Sequence, residues 1–198
     1  MDYMDISRQR RTIRKYSDRK VEQDKLDKVL EAGRWSPTAV NAQPQRIIIL
    51  EGDEDLSKVR EFCSFGFDKK YVEYAKECDD KENGGLNFYY GAPLVLMICY
   101  DTEACWKHPE SGRSSGPTDA TIVAVNMMLE ATSLGLGTAW ISYFDEERAR
   151  ELLNIPSSWQ PSSMLYIGYP AEDIEMNPLG GKRKPLDETC FYHHGPSE

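Results

Sequence analysis

Thr118-Asp119-Ala120-Thr121-Ile122-Val123-Ala124-Val125-Asn126-Met127-Met128-Leu129-Glu130-Ala131-Thr132-Ser133-Leu134-Gly135-Leu136-Gly137 is the stretch on which the fold turns. Its apolar residues Ile122, Val123, Val125, Met127, Met128, Leu129 and Ala131 surround the whole cylinder of the helix it predicts. A helix that is apolar all round has to be buried, in a core or against a partner. In a chain of 198 residues this points to a subunit interface as readily as to an internal core. Gly135-Leu136-Gly137 ends the helix, and Thr138 to Phe144 then reads as a strand.

Outward from that helix the pattern is irregular. Residues 22–34 place Leu26, Val29, Leu30 and Gly33 on one face, which predicts an amphipathic helix ending near Arg34, before Pro37. Arg46-Ile47-Ile48-Ile49-Leu50 and Leu94-Val95-Leu96-Met97-Ile98-Cys99-Tyr100 are continuous apolar runs of strand length. Asp53 is expected to cap a short polar helix toward Phe62, a short helix is expected over 145–153, and Met164 to Tyr169 is a further strand. Residues 63–90 mix aromatics and charges and read as a partly helical excursion; residues 102–117 read as a loop. Helices among few strands, without regular strand–helix alternation, predict a single α+β domain. The tail from Asn177 is rich in proline, glycine and charge and has little core of its own.

Composition narrows the function. Net charge is −9 and 40% of residues are hydrophobic, enough for a core and unfavourable for nucleic-acid binding. No run approaches the ~18 apolar residues of a membrane span, and the start Met1-Asp2-Tyr3-Met4-Asp5 lacks a signal-peptide pattern, so a cytoplasmic protein is expected. The five cysteines form no CxxC pair and suit free thiols in a reducing compartment. His193 and His194 are adjacent, a poor geometry for two ligands of one zinc, so no metal is expected.

Against that acidic background Arg8, Arg10, Arg11, Arg14, Lys15, Arg19 and Lys20 form a basic segment with Asp18 its only acid. In an extended chain Thr12 shares a face with Arg10 and Arg14. Arginine forks and a hydroxyl suit a phosphate; two solvated, unrelated basic faces are the blander reading. Lys182-Arg183-Lys184 is the other dense basic run. Pro37-Thr38-Ala39-Val40-Asn41-Ala42-Gln43-Pro44 holds a hydroxyl and two carboxamides between prolines. Carboxamides both donate and accept, which suits the edge of a flat heterocycle; a polar turn after a helix would use similar residues.

Together these blocks resemble the FMN-dependent nitroreductase family, from residue 6 to about residue 190. The family's Arg-Arg-Ser-x-Arg is matched by Arg10-Arg11-Thr12-Ile13-Arg14, and its Pro-Ser-x-x-Asn-x-Gln-Pro by Pro37 to Pro44. The resemblance implies that Arg10, Arg11, Thr12, Arg14 and Arg183 hold the phosphate and ribityl chain of FMN. It implies that Pro37, Thr38, Asn41 and Gln43 meet the ring, often from the opposite subunit, and that the backbone of Trp140, Ile141 and Ser142 passes close to it. Tyr143 stands where a glycine is common. The implied fold is three-layered, a mainly antiparallel sheet flanked by helices, in an intertwined homodimer. The implied activity passes a hydride from NADH or NADPH through FMN N5 to a small acceptor, a nitroaromatic, quinone or similar, by a ping-pong mechanism with no catalytic side chain.

Two rivals and one accessory expectation remain. The same contacts would serve a non-enzymatic flavin-binding or storage protein. Gly112-Arg113-Ser114-Ser115-Gly116 matches Gly-x-Ser-x-Gly, with Asp145 and His193 available to complete a serine-hydrolase order, but no buried strand enters it. Aromatics of 60–117, among them Phe65, Phe67, Tyr71, Tyr74 and Trp106, either cover the flavin as a lid or pack a dimer surface.

Overall fold

Strand β2 (Leu94–Asp101) is the spine of the molecule, because both its faces are covered. In the computed structural model, which describes residues 2–63, 90–172 and 182–192, Leu94 through Cys99 are all buried. Successive side chains of a strand point to opposite faces. Val95, Met97 and Cys99 therefore enter one apolar cluster, and Leu94, Leu96 and Ile98 enter another. Strand β4 (Trp159–Gly168) repeats the division, with Met164 and Tyr166 on the first side and Leu165 and Ile167 on the second. Fully burying such a side chain stabilises the fold by about 1.5–3 kcal/mol.

Around this pair stand β1 (Gln45–Glu51) and β3 (Gly137–Ile141), in the order β1-β2-β4-β3 with every pairing antiparallel. Helices α2 (Gln23–Arg34) and α4 (Gly116–Ser133) cover the face of Leu96 and Leu165. Helices α3 (Gly52–Cys63) and α5 (Glu146–Leu153) cover the face of Met97 and Tyr166. The result is the expected α+β domain: helix, sheet, helix. A short α1 (Tyr3–Gln9) precedes it and buries none of its own residues.

Helix α4 resolves the reading of its all-apolar sequence into two halves. Ala120, Val123, Ala124, Met127, Met128 and Ala131 are buried against α2 and the sheet. Ile122, Val125 and Leu129 are only half-buried. Gly33 of α2 lets the two helices pack closely, since a Cβ there would lie 2.9 Å from the Met127 side chain.

Four sequence expectations need correction. Helix α3 begins at Gly52 itself, whose φ of +77° turns the chain straight out of β1, so Asp53 sits in the first turn rather than capping it. That helix is amphipathic rather than polar: Val59, Phe62 and Cys63 are buried. Strand β3 stops at Ile141, leaving Ser142 to Phe144 outside it. Strand β4 starts five residues earlier than Met164. Pro161 hides this in the sequence; it pairs with Cys99 where the β2–β4 register shifts, the kind of irregularity that tolerates a proline in a central strand.

The ends of three elements are tied together by one polar clasp. Tyr169, just after β4, donates to Glu22 at 2.6 Å and accepts from Lys25 at 2.8 Å, while Lys25 also donates to the Leu134 carbonyl at the end of α4. The hydrogen bond from Tyr169, and then that from Arg19, hold the Glu22 carboxyl down at about 2.

Candidate functional site

The basic segment leaves α1 at Arg10 and runs extended along the β3 edge of the sheet. Ile13 N–H donates to the Thr138 carbonyl at 2.8 Å, and Thr12 pairs with Thr138 as a parallel bridge. Ser17 N–H donates to Tyr169 O, and Ala171 N–H to Lys15 O, so the segment continues past the end of β4. Ile13 is buried between Thr12, which is exposed, and Arg14, which is half-buried, so the expected alternation holds here. Ile13 can lie so close to β3 because Gly137 has no side chain: a Cβ there would fall 2.6 Å from Ile13 Cγ1.

The three arginines are used differently. Arg10 is half-buried, and burial, then Arg183, then Arg11 push its pKa below the ordinary value. Two cations far apart in sequence therefore converge on one corner. Arg11 turns back onto its own helix, donating to the carbonyls of Arg8 and of Arg10, the latter at 2.8 Å. Those carbonyls belong to the end of α1, where a cation is favoured. Arg14 reaches inward, its guanidinium 5.9 Å from the Tyr90 ring centroid. Of the second basic run, Lys184 pairs with Glu188 at 3.6 Å, whereas Arg183 is the residue whose charge reaches Arg10.

Trp140 and Ile141 lie two and three residues beyond Thr138, on the same edge strand as the cation corner, with Ser142 exposed just past it. Trp140 packs partly on the α4 side of the sheet and Ile141 on the α3 side. Tyr143 is exposed.

The amide loop stands elsewhere. Pro37 to Gln43 leads into the start of β1, and Pro44, which is buried, accepts from Asp101 N–H at 2.8 Å. Three of its residues have left-handed backbones without being glycine: Val40 at φ 49°, Asn41 at 56° and Gln43 at 49°. Each such residue costs on the order of 1–3 kcal/mol and persists only where surroundings over-determine it. Here Gln43 N–H donates to Thr38 Oγ1 (3.1 Å) and Asn41 N–H to the Thr38 carbonyl (3.0 Å). On the far side Arg46 donates to the carbonyls of Gln43 and Gln45 and pairs with Asp101 at 3.0 Å. Val40, Asn41 and Gln43 are exposed.

Strand register fixes how far apart the two corners are. Gln45 pairs with Tyr100 and Tyr100 with Gln160, at one end of the sheet. Thr138 pairs with Ile167, Ile167 with Leu94 and Leu94 with Glu51, at the other end. Three strand spacings across and six residues along place the corners about 25 Å apart. Within one chain no small ligand touches both.

Several sequence candidates fall away or lie outside the described residues. Ser114 sits in a loop bridging Lys107, where its hydroxyl accepts from Gly116 N–H at 3.1 Å; no strand enters it. Asp145 caps α5 by accepting from Arg148 N–H. His193 and the lid aromatics Phe65, Phe67, Tyr71 and Tyr74 are outside the described residues, and Trp106 stacks edge-on to His108. Cys63, Cys99 and Cys105 are buried free thiols, and burial pushes Cys63 and Cys99 up to about 12. Sequence reading missed Asp119, whose carboxylate accepts from Ala39 N–H at 3.0 Å. An acid in the first turn of a largely apolar helix was the available signal.

Comparison with known proteins matches this geometry to one family. The nitroreductase family model matches residues 7–169. A Methanothermobacter thermautotrophicus protein, provisionally assigned as an NADH dehydrogenase/NAD(P)H nitroreductase, is 31% identical over 177 residues, covering 87% of this chain and 80% of its own. The FMN reductase [NAD(P)H] of Bacillus subtilis is 28% identical over 85% of this chain and 66% of its own. The crystal structure of a nitroreductase family protein from Clostridium difficile 630 superposes with a TM-score of 0.81 at 32% identity, covering 98% of this chain and 99% of the other. With a family model spanning most of its length and a three-layer fold shared with a solved member, the chain belongs to the nitroreductase family.

Proposed function

We infer that the protein is an FMN-dependent NAD(P)H oxidoreductase that works as a cytoplasmic homodimer on a small-molecule acceptor. The observation that carries this is the extended Arg10–Arg14 segment docked on β3 through Thr12 and Ile13, with a half-buried Arg10 whose charge is disfavoured by burial and by Arg183, a corner that a phosphate would relieve. Arg10, Thr12, Arg14 and Arg183 would hold the phosphate, with Arg11 supporting them from the end of α1. The backbone of Trp140, Ile141 and Ser142 would run beside the ring, and Pro37, Thr38, Asn41 and Gln43 would meet its polar edge. Family membership and the name of the Bacillus subtilis relative support the cofactor and the reductant.

The separation of roughly 25 Å between corners supports the dimer: the amide loop reaches a cation corner only from a second copy. Apolar groups left in solvent by one chain, Trp35 at 74% and Val40 at 75% exposure beside that loop and Leu186 near the other end, give such a copy something to cover. When bound, FMN would supply the redox chemistry between NAD(P)H and a small acceptor, a nitroaromatic, quinone or similar. The chain's part is to bind, orient and exclude water. No side chain is assigned a proton transfer, and ping-pong kinetics are expected.

The test is anaerobic stopped-flow of the yellow holoprotein with each nicotinamide, coupled to light scattering. Bleaching of the flavin by NADH or NADPH, in a particle of twice 22.6 kDa, is expected. Flavin that neither nicotinamide bleaches would favour the storage reading, and a flavin-loaded monomer would sink the two-chain site.

A further inference from the structure

The amide loop is held from beneath by a buried acid on another element. Asp119 is 2% exposed in the first turn of α4, and both its oxygens are engaged. Oδ1 accepts from Ala39 N–H at 3.0 Å, one residue before the first left-handed residue of the loop. Oδ2 accepts from Ser115 Oγ at 2.7 Å, and Ser115 is the residue that precedes the helix. Seven residues along the same helix, on the same side, Asn126 donates to Ser36 Oγ at 2.8 Å, just before Pro37. The loop from Ser36 to Gln43 is thus anchored to α4 at its entry and at its strained turn. At its exit it is anchored to β2 through Arg46 and Asp101.

We propose that Asp119 is a positioning residue for the flavin ring: its bond to Ala39 N–H fixes the left-handed turn that presents Asn41 and Gln43. This rests on the function inferred above. The physical reason is competition. Left-handed backbones at Val40, Asn41 and Gln43 relax to right-handed ones when an anchor is lost, and the carboxamides then point elsewhere. A buried carboxylate is a strong acceptor for such an anchor, because hydrogen bonds to an ionised group are about twice as strong as neutral ones. Asp119 does not touch the ring; it acts through Ala39 and the turn that follows.

The experiment titrates the full-length protein, stripped of flavin, with FMN and separately with riboflavin, which lacks the phosphate. Asp119→Ala is expected to raise both dissociation constants by about tenfold, leaving their ratio as in the unaltered protein. Asp119→Asn should restore most of the loss, since its amide oxygen still accepts from Ala39 and its NH2 donates to Ser115. Ser115→Ala, which frees one oxygen, should give a smaller rise in the same direction and decides the matter if Asp119→Ala does not fold. Dissociation constants within twofold of the unaltered protein in folded Asp119→Ala, or in Ser115→Ala where Asp119→Ala does not fold, would overturn the proposal alone. So would a loss confined to FMN, because that places the effect at the phosphate. Failure of the unaltered protein to bind either flavin would overturn the inferred function and this proposal with it.

Discussion

Arg10→Ala is expected to raise the FMN dissociation constant by roughly ten- to a hundredfold, the loss of a charge-assisted contact of about 1.5–3 kcal/mol. Riboflavin affinity should stay within about twofold, because the lost group addresses only the phosphate. The apoprotein should be no less stable than before. Burial, Arg183 and Arg11 all disfavour the Arg10 charge in the folded chain, so removing it relieves a cost that only an anion otherwise offsets. Flavin titration and thermal unfolding of the apoprotein check the two halves separately. An equal loss of both flavins would move the phosphate away from this corner.

Gly137→Ala is expected to destabilise the fold by overpacking. The added methyl would sit 2.6 Å from Ile13 Cγ1 and 2.9 Å from Ile13 Cβ, and the latter is fixed to the backbone that donates to Thr138. Overpacking of this kind costs about 1–3 kcal/mol. Since Thr12 and Arg14 flank Ile13, displacing that backbone should weaken FMN binding as well. Urea unfolding gives the first quantity and flavin titration the second. A variant as stable as the unaltered protein would mean that Ile13 has room the packing does not show.

What the sequence makes legible here is what depends on neighbours along the chain. The continuous burial of Leu94 to Cys99, the amphipathic face of α2 and the glycine stop after α4 all follow from local pattern. So do the Arg10–Arg14 and Pro37–Pro44 motifs. Strand order is not local, and the separation of those motifs across the sheet is invisible until β1 and β3 are seen at opposite edges. Ile47-Ile48-Ile49 shows the same limit: the run reads as a buried strand, yet it lies at an edge with Ile49 40% exposed. Pro161 conceals half of β4 because the compensating register shift is made with another strand. The left-handed turn at Val40 contradicts the preference of a β-branched residue, so only its tertiary anchors reveal it. Asp119 is legible as an oddity in an apolar helix, but its partner is 80 residues away.

The wide spacing of the two corners has a genetic consequence. On the two-chain reading, each flavin would sit between the cation corner of one subunit and the amide loop of the other. A chain carrying Arg10→Ala and a chain carrying Asn41→Ala would each form crippled homodimers. Brought together in one cell, they would also form mixed dimers, with one doubly defective site and one that is whole: Arg10 supplied by the second chain and Asn41 by the first. Two alleles inactive alone would complement each other, whereas two alleles damaged at the same corner would not.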